Sequence, residues 1–330
     1  IMPTVYGDIT PRTAGHVVRK FLERVEPTIV LGRVFDGKPL PKGETKTVKM
    51  RRSVPLAALD TPLTEGVTPS SQGYSVQDVN ATVDQWGGFQ ELTDVIADTH
   101  EDPVLGEMTD LLADQAGATM EKVRYGIAKA GTQVVYANGT ARNAVNTPIS
   151  RTKVRAAVRL LNRNKASKIT RIMASSTEYG TKSVEAAYLC FAHTDAESDI
   201  RDMTGFISVA DYGSRTAICP EEIGTVENVR FILSPDLAPF PDAGGAKGAM
   251  VSTTGTSADV YPFIIVGQHA LGDVPFKGRN AMTPMVLNPN TPRGGDPLGQ
   301  RGTVAWKGYY TAVRLNEQWM VRAEAAVTNL

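Results

Sequence analysis

Few residues in this 330-residue chain have the type and spacing that chemistry would need. Gly244-Gly245-Ala246-Lys247-Gly248 resembles a phosphate-cradling loop. It lacks the GxxxxGK[ST] order that wraps backbone N–H groups around a phosphate, and no strand and helix clearly flank it. It reads as a flexible loop, with a hydrolase working through Lys247 as the enzymatic alternative. No GxSxG nucleophile elbow occurs. His16, His100, His193 and His269 are dispersed, with no pair at metal-ligand spacing. His193-Thr194-Asp195 puts one histidine beside carboxylates, which an N-cap junction before a helix at Asp195 explains. Asp195, Glu197, Asp199 and Asp202 lack the glycine and loop pattern of a calcium site and read as a solvated helix face. Cys190 and Cys219 show no zinc spacing and read as buried free thiols. The expectation is a protein with no catalytic, metal or cofactor site.

The composition agrees with a structural role. With 42% hydrophobic residues the chain can build a core without disulfides. Lys plus Arg and Asp plus Glu each count 35, so no global field concentrates polyanions. The longest apolar stretch, Tyr261 to Gly267, is too short to cross a bilayer, and no signal peptide opens the chain. Synthesis in a cytoplasm is expected, and the opening Ile1-Met2 suggests that at least an initiator residue is absent.

The elements that would position any site follow from periodicity. Ile1 to Pro27 reads as an arm with a helix over Thr13 to Val25. Thr45 to Arg52 and Tyr74 to Phe89 alternate as strands around a turn-rich connection, which makes a long hairpin with polar faces. Such a ribbon is marginal alone and needs a support that a neighbouring subunit would supply. Asp102-Pro103 is a strong helix start, and apolar residues recur every three or four positions from Leu105 to Ala130. That helix would be about 40 Å long. A basic helix is expected from Arg151 to Asn164 and strands near Lys168 to Ala174 and Val229 to Ser234. Helices are expected near Val184 to Phe191 and Asp195 to Asp202. Pro235 to Ala258 reads as a long loop and Tyr261 to Val266 as a buried strand. Gly302 to Leu315 and Trp319 to Ala325 read as a closing antiparallel pair. The class is mixed α+β.

The neutral total hides segregation. Lys122 to Thr177 holds 12 basic residues and no acidic one, whereas Glu185 to Asp259 holds 12 acidic residues against four basic ones. The basic helix, with Arg151, Arg155, Arg159 and Arg163 along one side, could join subunits through an acidic neighbour or face a lumen and touch phosphates. Aromatic residues for stacking single strands are scarce there. In the hairpin, Lys38, Lys42, Lys46, Lys49, Arg51 and Arg52 are candidate intersubunit contacts.

Specific strings add a resemblance. Tyr6-Gly7-Asp8-Ile9-Thr10-Pro11-Arg12-Thr13-Ala14-Gly15 and the run from Glu91 through Asp94-Val95-Ile96-Ala97-Asp98-Thr99-His100-Glu101-Asp102-Pro103 to Leu105 resemble the major capsid proteins of N4-type tailed phages. So do Tyr136 to Arg142, Glu222 to Arg230, Ser252 to Pro262 and Asp296 to Gly302, in chain order. The resemblance implies the Hong Kong 97-type (HK97-like) capsid fold. It divides the chain into an N-terminal arm (1–37), an extended loop or E-loop (38–90), a peripheral domain (91–174) with spine helix 103–130, an axial domain (175–284) and a return to the peripheral domain (285–330). It implies a non-enzymatic subunit that self-assembles into pentamers and hexamers, an icosahedral head around double-stranded DNA, and a place in the virion after assembly in the bacterial cytoplasm. Portal, scaffolding and decoration proteins would be partners, and membranes would not. An encapsulin-like nanocompartment shell is the alternative on the same fold.

Overall fold

The structure is a computed structural model that describes residues 29–37, 40, 45–99, 104–173, 181–213, 216–275, 283–292 and 294–330. The arm before Ile29, its helix over Thr13 to Val25, the capping pair Asp102-Pro103, and Lys38 and Lys42 lie outside those residues. The described chain begins with β1 (Phe35–Gly37), β2 (Thr47–Ser53), β3 (Val76–Thr82), β4 (Asp84–Thr93), α1 (Asp94–Thr99) and α2 (Val104–Lys129). β5 (Val134–Tyr136), α3 (Arg151–Arg163), β6 (Ile169–Met173), β7 (Thr181–Ala192), α4 (Glu197–Arg201) and β8 (Phe206–Ser208) follow. The remainder is β9 (Glu222–Val226), β10 (Val229–Leu233), β11 (Tyr261–Val266), β12 (Leu271–Pro275), β13 (Thr283–Leu287), β14 (Arg301–Arg314) and β15 (Met320–Ala325).

Eight strands form the larger sheet, in the order β5-β15-β11-β7-β10-β9-β8 with β6 against β7. Helices cover both of its faces. Tyr188, Cys190, Phe231, Phe263, Ile265 and Val321 pack with Val154, Ala157 and Leu161 of α3. The alternate residues Leu189, Phe191, Ile232, Ile264 and Val266 pack with Tyr125 and Ala128 of α2. This period-two sorting is what a strand buried on both sides requires. It corrects the helix expected near Val184 to Phe191. That segment is strand β7, paired parallel with β10 from Tyr188 to Ala192 and antiparallel with β11. Each large apolar side chain sealed there contributes roughly 1.5–3 kcal/mol.

The smaller sheet runs β1-β12-β14-β13, with β4 along the other edge of β14. Its α2 face buries Leu92, Val304 and Trp306 against Met108, Leu112 and Ala116. α2 is 26 residues long, about 39 Å at 1.5 Å per residue, and so spans both sheets. The expected closing pair is a second correction. β14 and β15 are both strands, but β14 pairs with β4, β12 and β13 while β15 pairs with β5 and β11 in the larger sheet. Leu315 to Trp319 carries the chain from one sheet to the other.

The hairpin forms with β2 antiparallel to β3, Thr47 opposite Thr82 and Ser53 opposite Val76. The expected second strand, Tyr74 to Phe89, is divided at Val83, and Asp84 onward belongs to β4 and the smaller sheet. Leu40, Ala81 and Val83 root the ribbon on Val274, Tyr309 and Val313. Beyond that root both faces are largely exposed, and residues 54–75 contain no helix or strand. Among the described residues no helix is long and apolar enough to cross a membrane.

Candidate functional site

The loop that resembles a phosphate cradle is tied down by the chain. The Gly245 N–H donates to the Val145 carbonyl at 2.9 Å and the Gly244 N–H to the Ala258 carbonyl at 2.9 Å. A Cβ on Gly244 would lie 2.3 Å from the Val145 oxygen and 2.8 Å from the Ala258 oxygen. Here glycine permits two backbone segments to approach, and its N–H groups are already used. Gly244→Ala is therefore expected to lower stability by about 1–3 kcal/mol through overpacking against rigid backbone. Lys247→Ala should stay within about 0.5 kcal/mol of the parent. Urea unfolding of both variants checks this, and the opposite ranking would return Lys247 to consideration.

The other chemical candidates are also structural. The His193 ring accepts the Asp195 N–H through Nδ1 at 3.1 Å, the N-cap expected for that junction. The acidic segment after it is a 3-10 turn, Thr194–Ala196, running into α4. It is only partly a solvated face, because its carboxylates hold other elements. Asp195 accepts from the Tyr261 hydroxyl at 2.8 Å, and Asp199 accepts from the Thr328 N–H at 2.9 Å and its hydroxyl at 2.7 Å. Cys190 and Cys219 are buried and free, and burial pushes the Cys219 thiol up to about 12. Among the described residues no three His, Cys, Asp or Glu side chains are placed to hold a metal. A small cleft opens where α2 crosses β14, lined by Trp86, Thr119, Met120, Val123, Trp306 and Tyr310. Its two hydroxyls are already engaged, Thr119 donating to the Gln115 carbonyl and Tyr310 to Asp273, so it has no convergent polar groups left to orient a substrate.

The predicted hairpin bases sit on an exposed ribbon. Lys46 Nζ is 3.0 Å from Asp84, Lys49 Nζ 3.0 Å from Asp78, and Arg51 Nε 2.7 Å from Asp78. Asp78 thus serves two cations, and the Arg51 and Lys49 hydrogen bonds hold its carboxyl down at about 2. Arg52 donates to the neutral Gln77 side chain. The stem therefore has surplus positive charge. Its tip presents Leu56, Leu59 and Leu63 at 61%, 78% and 75% exposure, unusually bare for side chains of that size.

The four helix arginines divide. Arg151 and Arg155 both donate to Glu227 Oε1 at 2.8 Å, and these bonds lower the Glu227 pKa, Arg155 contributing more. The opposed charge blocks meet there within one subunit. Arg159 and Arg163 lie on the exposed side of α3 and make no ion pair among the described residues.

Two buried clusters carried no sequence signal. Phe240 lies under the Lys129 ammonium at 3.8 Å and the Arg142 guanidinium at 3.6 Å. The fully buried Glu324 pairs with Arg142 at 2.8 Å and Arg322 at 2.7 Å. Burial lowers the Lys129 pKa, aided by Arg142 and Arg322. In the second cluster, Glu121 Oε1 accepts the Val30 and Leu31 N–H groups at 2.9 and 2.8 Å, while Arg124 pairs with Asp273 at 2.7 Å. Their members lie far apart in the chain, as with Arg142 and Glu324 at a separation of 182, so no local motif marks them.

Comparison with known proteins gives the fold and the family. The capsid of Ralstonia phage GP4 superposes with a TM-score of 0.72 at 12% identity, covering 99% of each chain. The cyanophage Pam1 capsid gives 0.66 at 13% identity over 97% of this chain and 98% of that one. Mycobacterium phage Che8 gives 0.61 at 11% identity over 96% and 98%. These likenesses establish the Hong Kong 97-type fold. A sequence search of curated proteins finds no match. The family model described as phage capsid protein matches residues 76–325, most of the chain. The chain belongs to that phage capsid protein family and is a structural, non-enzymatic subunit of the head shell.

Proposed function

We propose that copies of this chain form pentamers and hexamers that close an icosahedral head around double-stranded DNA, within the N4-type branch of the family. In this reading the chain divides into arm 1–37, E-loop 38–90, peripheral domain 91–174 with 285–330, and axial domain 175–284. Assembly takes place in the bacterial cytoplasm, with portal, scaffolding and decoration proteins as partners. The supporting observation is the ribbon of β2 and β3, which leaves the body with both faces bare and cannot support itself. Arg159 and Arg163 contact the packaged DNA, since no carboxylate among the described residues pairs with them and phosphates accept such cations without regard to sequence. Electron microscopy and mass spectrometry of particles made from the full chain test the reading. Closed shells containing nucleic acid are expected; a persistent monomer, or shells holding an enzyme cargo instead, would overturn it. Arg159→Ala with Arg163→Ala should leave empty shells intact and reduce DNA retention. Failure to form shells would instead assign those arginines to subunit joining.

A further inference from the structure

Helix α3 carries Arg151, Arg155, Arg159 and Arg163 at successive i, i+4 positions, about 6 Å apart along its axis, and contains no acidic residue. Like charges at this spacing repel, so the row depends on anions from outside the helix. Val154, Ala157 and Leu161 fix the opposite face against the larger sheet. One anion comes from the chain itself. Glu227 and Asn228 form the turn between β9 and β10, where Val226 pairs with Val229. Glu227 has φ +55°, a conformation for which a two-residue turn ordinarily uses glycine. A residue with a Cβ persists there when its surroundings hold it in place. The carboxylate supplies that hold: Arg151 and Arg155 both reach Oε1, each through Nε at 2.8 Å and through Nη2 at 2.7 and 2.5 Å respectively.

We infer that Arg151 and Arg155 form a phosphate-binding position continuing the row of Arg159 and Arg163, and that Glu227 occupies it in the free subunit as an internal substitute for phosphate. The inference rests on the DNA contact proposed above and adds its regulation. Two guanidinium forks converge here on a single oxygen, whereas planar forks pair best with oxygens of their own. A phosphodiester carries two charged oxygens and can give one to each fork. The position is open to that exchange, since the Arg155 side chain is 55% exposed and those of Arg151 and Glu227 are each 35% exposed. Ion pairs this accessible contribute little to stability, so a polyanion at high local concentration can displace Glu227 while the turn stays folded. The Arg155 and Arg151 hydrogen bonds hold the Glu227 carboxyl below its ordinary range, so the substitute stays charged at mildly acidic pH. Until DNA is present at that concentration, Glu227 withholds half of the row from other nucleic acids.

The test is a double-mutant cycle in the full chain, read by the binding of unassembled subunits to a short fluorescently labelled DNA duplex across a salt series. Glu227→Gly removes the carboxylate and leaves a residue that accepts the turn's backbone, so its circular dichroism melt should match or exceed the parent's. It should tighten duplex binding about tenfold at low salt and steepen log affinity against log salt by about one to two, as for one or two added phosphate contacts. Glu227→Gln keeps the side chain and loses only the charge; it should move both quantities in the same direction, and it carries the comparison if the glycine variant unfolds. Arg151→Ala with Arg155→Ala should weaken binding about tenfold more in the Glu227→Gly background than in the parent. Equal costs in the two backgrounds, or a folded Glu227 variant that binds like the parent, overturn the inference and leave Glu227 as a fastener of α3 to the turn. A parent whose duplex affinity is untouched by Arg159→Ala with Arg163→Ala removes the DNA contact itself, and this inference with it.

Discussion

Replacing Glu324 by alanine is expected to destabilise the folded subunit by about 3–5 kcal/mol, because it removes one member of a buried ionic cluster and leaves the others. Glu324 is fully buried, and its partners Arg322 and Arg142 have side chains only 9% and 33% exposed. With the carboxylate gone, two guanidinium groups and the Lys129 ammonium surround the Phe240 ring without a counter-charge. Water cannot readily solvate Arg322 in place of the lost partner. Glu324→Gln retains an acceptor of the same shape and should cost less. The check is urea unfolding, where the Glu324→Ala midpoint should fall with the slope unchanged. A shift under about 1 kcal/mol would mean that the cluster relaxes into solvent.

Arg124→Ala should have an effect of similar size, about 3–5 kcal/mol at neutral pH, for the opposite electrostatic reason. The substitution leaves two buried carboxylates, Asp273 and Glu121, without their cation. Burial already raises Glu121 above its ordinary 4.5, offset in part by the Leu31 and Val30 N–H groups and by Arg124. Losing Arg124 raises it further. A carboxyl whose folded pKa is raised contributes most below its unfolded value and loses that contribution as pH rises through the folded value. The penalty of Arg124→Ala should therefore be full at neutral pH and shrink as pH falls through that raised folded value toward about 4.5. Paired parent and variant melts at pH 4 and pH 7 measure it; a penalty that grows in acid would contradict the assigned coupling. Because Glu121 also accepts the Val30 and Leu31 N–H groups, proteolysis near Ile29 should accelerate in the variant.

Helix α2 was legible because its apolar spacing is strictly helical over seven turns, and burial at Met108, Leu112 and Ala116 follows that spacing. The hairpin, the strand at Tyr261–Val266 and the buried thiols were legible for similar local reasons. β7 was not. A segment sealed between α2 and α3 is apolar on both faces and loses the alternation that would identify it. The β14 to β15 connection misled in another way, since proximity in sequence favours pairing and these strands instead occupy different sheets. Charge segregation was visible, but not that Glu227 would take Arg151 and Arg155 within one subunit.

The two sheets also set a schedule for the ribosome. Among the described strands β4 pairs with β14 alone, with Asp84 opposite Tyr310, and β5 with β15 alone, with Val134 opposite Arg322. β11 likewise takes β15 along one edge. Neither sheet can be completed until residues 301–325 have emerged, so the long-range pairing that defines the body waits for β14 and β15. A nascent chain holds α2 and the hairpin long before it has the body that orients them.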